Sequence, residues 1–310
     1  MKQFLWLPVL LVWTTLSLAQ VAVDVKSGAN GCPAAVGNNA VDDTAAIQCQ
    51  LNFMYPTNGT VLVSSGYFRV SGGGLVVKGG VQLIGEAGQS GSGINVATDS
   101  PVVTFDASTC VRGASMQNLT IVGYQNPSAT ANAVTVGANC PTILRDNTIW
   151  NGASGLYTSG VDGLYENNFI CGYAASVTSK GANWYVRDKL DTCGLSSTYA
   201  FHQIAPTIAG QSAENHFTQT DFSGKFTYSL LVDDGSNTSS ILTCSGCVLG
   251  APIVINRAKS TIISASEIGS TIFTNNSAGP IIAMGNYFFS STYASGKGHR
   301  VCYGNFNLVC

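Results

Sequence analysis

A short motif repeats along the chain from Asn132 to Ser290 and limits the folds that the chain can adopt. Each copy has a strand-like run, a turn rich in Gly, Asn or Ser, and a second strand-like run. The seven first runs can be marked at Val134, Leu156, Val177, His202, Leu231, Val254 and Phe273, which lie 22, 21, 25, 29, 23 and 19 residues apart. A unit of this length without helical periodicity cannot bury its apolar face alone, so successive copies must stack on one another.

The length of the repeat favours a parallel β-helix. The L-x-x-L-x-L frame of leucine-rich repeats is missing, and a propeller blade needs roughly 40 residues or more. In a β-helix, equivalent strands of successive coils lie about 4.8 Å apart, so residues 20 or so positions apart become neighbours. We therefore predict an all-β fold, a right-handed parallel β-helix (a solenoid) with a short N-terminal capping helix.

Composition excludes several classes of partner. The 310 residues are 45% hydrophobic and only 10% charged, which is enough for one sizeable core. The formal net charge of −2 gives no basic face for nucleic acid and no polybasic anchor for a membrane surface. We expect neither nucleic acid nor a membrane as a partner.

The first residues have the pattern of a signal peptide. Met1 and Lys2 precede the apolar run FLWLPVLLVW and the exit TTLSLAQ, so we predict a signal peptide over 1–19 that is cleaved after Ala19. The apolar run is shorter than the ~20 residues of a membrane span. We expect a secreted protein, extracellular or, in a bacterium, periplasmic.

The remainder, 20–310, is predicted to be one β-helix domain. We expect an N-terminal cap over 20–59, coils over 60–290 and a C-terminal cap over 291–310, where the repeat period is lost. Four Asn-x-Ser/Thr sequons, at Asn58, Asn118, Asn237 and Asn275, would make it a glycoprotein in a eukaryotic secretory pathway.

Ten cysteines in an exported chain predict disulfides. Pairing in sequence order gives Cys32–Cys49, Cys110–Cys140, Cys171–Cys193, Cys244–Cys247 and Cys302–Cys310. Cys171 and Cys193 end consecutive second runs, so a bridge between stacked coils suits them best. The Cys244-x-x-Cys247 pair is also compatible with a redox or metal motif, although no helix or second ligand pair accompanies it.

The N-terminal segment carries a family resemblance. DDTAAIQ predicts a capping helix from Asp43 to Leu51, and GTVLVSSGYFRV and LVVKGGVQLIGEAG follow it as strand pairs. This series resembles the N-terminal segment of the pectate-lyase-like β-helix superfamily, in its rhamnogalacturonase/epimerase-like branch of polysaccharide-degrading enzymes and phage tailspikes. The resemblance implies the fold and a carbohydrate partner. It places no catalysis in this segment, so Asp42 and Asp43 are interpreted as cap and turn residues.

The catalytic patterns of that superfamily are missing. The polygalacturonase set of Asn-Thr-Asp, Asp-Asp, His-Gly and Arg-x-Lys does not occur in order, because Asp233-Asp234 is followed by neither of the last two. No pectate-lyase calcium motif can be matched residue by residue. We predict no cofactor and no metal ligands, and a calcium requirement stays open without a motif.

Stacking of the repeats suggests carboxylate columns instead. Alignment of the second runs on Gly152, Gly172, Gly194 and Gly224 places Asp146, Glu166 and Asp188 in one column and Asp191 with Asp221 in another. Like charges about 5 Å apart raise the pKa of one member, as a retaining glycosidase requires. The alternative is that these residues satisfy backbone donors in turns, and an error of one residue in register removes a column.

The charged residues of a charge-poor chain concentrate around these columns. The candidate catalytic residues are Glu166, Asp188, Lys189, Asp191, Asp221 and His202, and the candidate substrate-binding residues are Arg187, Trp184, Glu214 and His216. A lyase needs a base for the proton α to a uronate carboxylate and a cation for the enolate, which these residue types can supply. The alternative interpretation makes the histidines surface or core residues without a task and the aromatic residues part of the core.

These observations predict a secreted carbohydrate-active protein. The leading interpretation is a polysaccharide lyase or glycoside hydrolase that acts on an acidic or plant-type polysaccharide, as a monomer or a trimer. The alternatives are a non-catalytic glycan-binding or adhesion β-helix of the tailspike kind and an inert structural solenoid, since the fold alone does not choose among them.

Overall fold

The computed structural model describes residues 21–205, 213–233, 240–270, 272–277, 279–296 and 298–309. The predicted signal peptide, the sequon at Asn237 and the Cys310 half of one predicted disulfide lie outside these ranges. Among the described residues, no helix has the length and apolar content needed to cross a bilayer.

The described residues form one helix, two 3₁₀ turns and a long series of short strands. The helix α1 is Thr44–Met54, and the 3₁₀ turns are Tyr55–Thr57 and Cys110–Arg112. The first strands are β1 (Ala22–Asp24), β2 (Asn38–Asp42), β3 (Thr60–Val63), β4 (Gly66–Val70), β5 (Leu75–Val77), β6 (Gln82–Gly85), β7 (Ser92–Val96), β8 (Val103–Phe105), β9 (Ala114–Gln117), β10 (Thr120–Val122) and β11 (Val134–Val136). The central strands are β12 (Thr142–Arg145), β13 (Thr148–Trp150), β14 (Ser154–Thr158), β15 (Val161–Glu166), β16 (Phe169–Ile170), β17 (Ala175–Ser179), β18 (Ala182–Val186), β19 (Lys189–Leu190), β20 (Tyr199–Ile204), β21 (Glu214–Thr218) and β22 (Asp221–Phe222). The last strands are β23 (Tyr228–Asp233), β24 (Ile241–Ser245), β25 (Val248–Leu249), β26 (Ile253–Arg257), β27 (Ser260–Ser264), β28 (Glu267–Ile268), β29 (Ile272–Asn275), β30 (Ile281–Met284), β31 (Tyr287–Ser295), β32 (Arg300–Tyr303) and β33 (Phe306–Val309).

Within the described ranges these strands form three parallel sheets of 9 to 12 strands. Sheet 1 contains β1, β3, β6 and every third strand to β30, and ends at β32. Sheet 2 contains β2, β4, β7 and every third strand to β31, and ends at β33, whereas sheet 3 runs from β5 and β8 to β29. Most coils contribute one strand to each sheet, and the predicted right-handed parallel β-helix is confirmed.

One turn of each coil carries a repeated two-residue pattern between sheet 1 and sheet 2. The first residue is left-handed: φ is +55° at Asp146, +57° at Asn167 and +55° at Arg187. The second residue points into the coil, so Asn147, Asn168 and later Asn286 are buried. Because a left-handed residue turns the chain sharply, it lets the next side chain leave the sheet and face the interior.

The inward residues bond to one another from coil to coil, and we call this series the inner ladder. Asn147 accepts from the backbone N–H of Leu119, and Asn168 accepts from that of Asn147, both at 3.1 Å. Each amide also donates to a carbonyl of the coil before it, Asn147 to Met116 at 3.0 Å and Asn168 to Leu144 at 2.9 Å. Near the other end, Asn286 and Asn305 repeat both contacts. The ladder thus satisfies backbone groups that the turn would otherwise leave unpaired in the core.

The predicted capping helix is confirmed, and α1 covers the N-terminal end of the apolar core with Ala46, Ile47, Leu51 and Met54. Asp43 is the N-cap residue, in agreement with its interpretation as a cap residue, but its side chain makes no capping hydrogen bond to the helix. The Asp43 carboxylate accepts from the backbone N–H groups of Val36 and Gly37, at 2.7 and 3.0 Å, and so it fixes the preceding loop.

Four predicted disulfides are present: Cys32–Cys49, Cys110–Cys140, Cys171–Cys193 and Cys244–Cys247. The Cys171–Cys193 bridge joins consecutive coils, with Cα atoms 6.0 Å apart. The disulfide at Cys244-x-x-Cys247 removes the metal and dithiol interpretations of that motif in the oxidised protein.

The C-terminal segment differs from the expected cap. β32 pairs in parallel with β30, and β33 pairs with β31, so the coils continue to Val309 instead of ending near Ser290. The inner ladder also continues, because Asn305 follows the left-handed Gly304. The repeat therefore extends into this segment of the sequence, where Gly304-Asn305 repeats Gly285-Asn286.

We predict that Asn147→Ala destabilises the fold by about 2 to 4 kcal/mol, because it leaves the Leu119 N–H and the Met116 carbonyl buried without partners. Urea unfolding followed by circular dichroism measures this change. Asn276→Ala is the control, because Asn276 is exposed and should change the free energy of unfolding by less than about 0.5 kcal/mol. Equal effects of the two substitutions would contradict a stabilising inner ladder.

Candidate functional site

The predicted carboxylate columns are wrong in register. In the structure Glu166 lies between Arg145 and Val186, and Lys189 lies opposite Asp221. Asp146 instead precedes the inner ladder, as the left-handed residue of its turn. The turn between sheet 1 and sheet 2 holds a fixed position in each coil, whereas the glycine that follows the second run does not. An alignment on these glycines therefore gives the wrong register. Glu166 therefore does not share a column with Asp146 or with Asp188, although the alignment predicted one column for all three.

Asp188 occupies the inner ladder and not the outer surface. It is 1% exposed, and its Oδ1 accepts from the backbone N–H and the side-chain amide of Asn168, at 2.7 and 2.9 Å. Its Oδ2 has no hydrogen-bond partner. A polysaccharide outside the coil cannot touch this carboxyl, so we remove Asp188 from the candidate catalytic residues.

The hydrogen-bond pattern of the inner ladder explains the protonation state of the Asp188 carboxyl. At the equivalent atom, Asn168 donates to the Leu144 carbonyl, and the corresponding carbonyl for Asp188 is that of Tyr165, three residues before Asn168. A protonated carboxyl can donate to that oxygen, whereas an ionised one would oppose it. Burial raises the pKa of Asp188 to about 7, against the lowering effect of the bonds from Asn168.

We predict that Asp188→Asn stabilises the protein at pH 8 by about 2 to 4 kcal/mol, at 1.36 kcal/mol per pKa unit. In the wild type the folded carboxyl holds its proton up to about pH 7, while the unfolded one loses it near pH 4. Stability therefore falls as pH rises from about 4 to 7, and the amide removes this loss. Urea unfolding of both proteins at pH 4.5 and pH 8 tests it: a variant less stable than wild type at pH 8 would contradict the account.

The outer face of sheet 1 gathers five of the predicted site residues. Glu166 ends β15, Trp184 lies on β18, and Glu214 and His216 lie on β21. Arg187 follows β18 in the adjoining turn. Because residues of one strand alternate between the core and the outside, these side chains leave the same face.

Glu166 is the centre of a charged cluster on this face. Its Oε2 accepts from Arg145 Nε at 2.9 Å, and its Oε1 accepts from Arg187. The hydrogen bonds from Arg145 and Arg187 lower the pKa of Glu166. Glu166 is therefore ionised at neutral pH and unsuited to act as a general acid.

Two open grooves lie on this face, and the charged cluster itself lines the first. One, of about 490 Å³, is lined by Arg145, Asp146, Glu166, Asn167 and Arg187. The other, of about 540 Å³, lies over the beginnings of β12 and β15 and includes Arg112, Ile143, Asp162 and Leu164. We call the two grooves together the sheet 1 groove, and arginines lie at three positions in it.

An aromatic pair continues this face beyond Glu166. The rings of Trp184 and His216 stack with centroids 5.4 Å apart, and Trp184 is 43% exposed. His216 Nδ1 lies 2.8 Å from the Thr243 hydroxyl, which fixes the orientation of the imidazole. The pair offers a flat surface on which a sugar ring could lie.

Three other predicted residues lie on sheet 2. Lys189 Nζ forms an ion pair with Asp191 Oδ2 at 3.3 Å and lies 5.5 Å from the Phe169 ring. Burial alone would raise the pKa of Asp191, but hydrogen bonds from Cys193, Lys189 and Thr192 outweigh it and lower that pKa. Asp221 stands opposite Lys189 on β22. The three residues form a group of their own, on a different sheet from Glu166.

His202 lies on a third face. It belongs to β20 of sheet 3, where its ring stacks on Tyr199 at 4.4 Å, and its buried Nε2 has no partner. Burial lowers the pKa of His202, against the attraction of Asp233. The structure thus separates His202 from the sheet 1 groove, although sequence placed both in neighbouring coils.

Sequence reasoning missed Arg145, Arg112 and Asp162. Arg145 was passed over because the alignment placed Asp146 beside Glu166, and correct pairing of β12 with β15 would have found it. No group of three or more His, Cys, Asp or Glu that could hold a metal ion occurs among the described residues.

Comparison with known proteins supports the fold. No protein-family model matches the sequence. No curated protein matches it either. Among solved structures, the chain is similar to the tailspike protein gp49 of the Acinetobacter baumannii bacteriophage Fri1, a capsular polysaccharide depolymerase, with a TM-score of 0.63 and 14% identity over 92% of this chain and 58% of that one.

Two further structures show the same architecture. The A-module of the mannuronan C-5 epimerase AlgE4 from Azotobacter vinelandii has a TM-score of 0.55 and 12% identity, over 93% of this chain and 97% of that one. The product of ORF18 of Geobacillus virus E2 has a TM-score of 0.53 and 17% identity, over 92% of this chain and 60% of that one. The chain thus spans less than two thirds of both phage proteins. At these identities the likeness establishes the right-handed parallel β-helix fold expected from the pectate-lyase-like resemblance.

Proposed function

We propose that this chain is a secreted carbohydrate-active β-helix that binds an acidic polysaccharide in the sheet 1 groove. The observation that carries the proposal is the position of Glu166 between Arg145 and Arg187 in an open groove. Guanidinium groups pair with carboxylates through two parallel hydrogen bonds. The same two arginines suit the carboxylates of a uronate-containing glycan.

The exposure of Arg145 and Arg187 supports an exchange of Glu166 for a carboxylate of the ligand. The Arg187 side chain is 56% exposed and that of Arg145 is 42% exposed, so each can turn from Glu166 to a ligand at little cost. Arg112 lines the adjoining groove, just before β9, and adds a third cation to the same face. A linear polyanion laid along the coils would meet a cation at several points.

For a reaction on such a glycan, β-elimination suits the groove better than hydrolysis. Hydrolysis needs an acid that is protonated at working pH, and the pKa of Glu166 is lowered whereas Asp188 is buried. In β-elimination a base takes the proton α to the uronate carboxylate, the electron pair forms the carbon–carbon double bond, and the bond to the glycosidic oxygen breaks, with that oxygen taking a proton from water. Glu166 and His216 are the candidate bases, and Arg145 and Arg187 would stabilise the enolate.

Binding without turnover is the second candidate function. The two ion pairs of Glu166 favour it, because a carboxylate with a lowered pKa is a weak base. In this case the groove would hold the glycan as an adhesion surface, and the arginines would determine affinity alone.

Secretion is part of the proposal. The disulfides support it, since such bonds persist in oxidising compartments. The signal peptide predicted over 1–19 would give a route for export. The tailspike is a capsular polysaccharide depolymerase and the epimerase acts on mannuronan, which agrees with a glycan partner for this chain.

We predict that Arg187→Ala and Arg145→Ala each weaken binding of polygalacturonate or polymannuronate by about tenfold, the scale of one lost hydrogen bond between charged groups. Isothermal titration calorimetry at low salt measures the dissociation constant. Lys180→Ala is the control, because it removes one positive charge near Tyr157 on sheet 3. Equal weakening by Lys180→Ala would show that only net charge matters.

Incubation of the protein with polygalacturonate, polymannuronate and polyglucuronate separates the two candidate functions. An eliminase should produce ultraviolet-absorbing unsaturated ends, and Glu166→Gln or His216→Gln should lower its turnover by about 10². A binder should retain affinity and yield no new ends. New reducing ends without unsaturation would indicate hydrolysis and contradict the chemistry proposed for the groove.

A further inference from the structure

A second groove lies on sheet 2, away from the charged cluster. Its cavity volume is about 420 Å³, and exposed aromatic side chains stand at its two ends, Tyr67 on β4 and Trp150 on β13. Tyr67 is 41% exposed and Trp150 is 42% exposed, so both rings reach the solvent. We call this surface the sheet 2 groove.

Strand register fixes the distance between the two aromatic residues. Tyr67 pairs with Gly93, Gly93 with Thr120, and Thr120 with Thr148, two residues before Trp150. Three strand spacings separate β4 from β13, which amounts to about 14 Å along the solenoid axis. This length accommodates more than one sugar ring.

Gly93 sets the position of the Tyr67 ring. A Cβ atom at position 93 would lie 2.5 Å from Tyr67 Cδ1 and Cε1, so the ring leans over the glycine toward the groove. The glycine has no unusual φ there and provides only space. The face of the ring is thus held at the edge of the groove.

The floor between the aromatic residues is polar and neutral. Gln89 Oε1 accepts from the Thr148 hydroxyl at 3.0 Å, and the Gln89 carbonyl accepts from the Thr120 hydroxyl. Gln125 adds a second, exposed amide. None of the described residues that line the groove carries a charge.

We propose that the sheet 2 groove is a second saccharide-binding site, specific for uncharged sugar units. Aromatic faces pack against the C–H faces of sugar rings, and amides and hydroxyls exchange hydrogen bonds with sugar hydroxyls. A uronate carboxylate would lose water there without gaining a cation, so the groove disfavours acidic units. The proposal does not depend on the sheet 1 groove, because the two sites lie on different sheets.

Binding of neutral hexaoses tests the proposal. The probes are the hexaoses of β-1,4-glucose, β-1,4-mannose, β-1,4-xylose and α-1,4-glucose, measured by isothermal titration calorimetry with the full chain. We expect at least one to bind with a dissociation constant below about 10 mM, which corresponds to roughly −2.7 kcal/mol. Trp150→Ala and Tyr67→Ala should each weaken it at least fivefold. Gly93→Ala should weaken it as well, because the new methyl group displaces the Tyr67 ring.

Phe53→Ala is the matched control, since Phe53 is 45% exposed, about as much as Trp150, but lies on α1 and lines neither groove. It should leave binding of the neutral hexaose unchanged, and unfolding curves of all four variants should match that of the wild type. Failure of every neutral hexaose to bind would overturn the proposal. So would equal loss on Phe53→Ala, or tighter binding of hexagalacturonate than of the neutral probes at the site lost with Trp150→Ala. Loss of polyuronate binding alone would overturn only the function proposed for sheet 1.

Discussion

The hydrogen bonds of the inner ladder determine the register on which both grooves depend. Asn147, Asn168 and Asp188 occupy one position in three successive coils. The side-chain oxygen of each accepts from a backbone N–H of the coil before, and this hydrogen bond fixes where the next coil begins. A slip by one residue would turn every inward side chain outward and leave buried backbone groups unpaired. With this register, Arg145 and Glu166 fall on neighbouring strands of the outer face.

The solenoid places side chains of different chemical character on different faces. Sheet 1 carries arginines and a carboxylate, sheet 2 carries a neutral groove between two aromatic residues, and the apolar core lies between them. Successive strands of one coil belong to different sheets. Residues close in sequence, such as Trp184 and Lys189, therefore lie on different faces. A ligand parallel to the axis therefore meets side chains from several coils but from one sheet only.

The sequence predicted the fold well and the site poorly, for one physical reason. Repeat length and strand alternation tolerate errors of a residue or two, so the β-helix, the capping helix and the Cys171–Cys193 bridge were all predicted correctly. A column of side chains does not tolerate such errors, and His202, marked as equivalent to Val177, lies one residue past the true partner, Phe201. The signal that fixes register was present as pairs such as Asp146-Asn147, Asn167-Asn168 and Gly285-Asn286, a left-handed residue followed by a polar inward one. What no pattern could supply was the side-chain geometry that places Glu166 between two arginines.

The most direct test of the account is a crystal structure of the protein with hexagalacturonate. The register and the cluster together predict uronate carboxylates on Arg145 and Arg187, with the sugar chain along the outer face of sheet 1 and Asp188 sealed inside the coil. A chain of sugars seated instead across Lys189, Asp191 and Asp221 on sheet 2, or Asp188 in contact with the ligand, would contradict it.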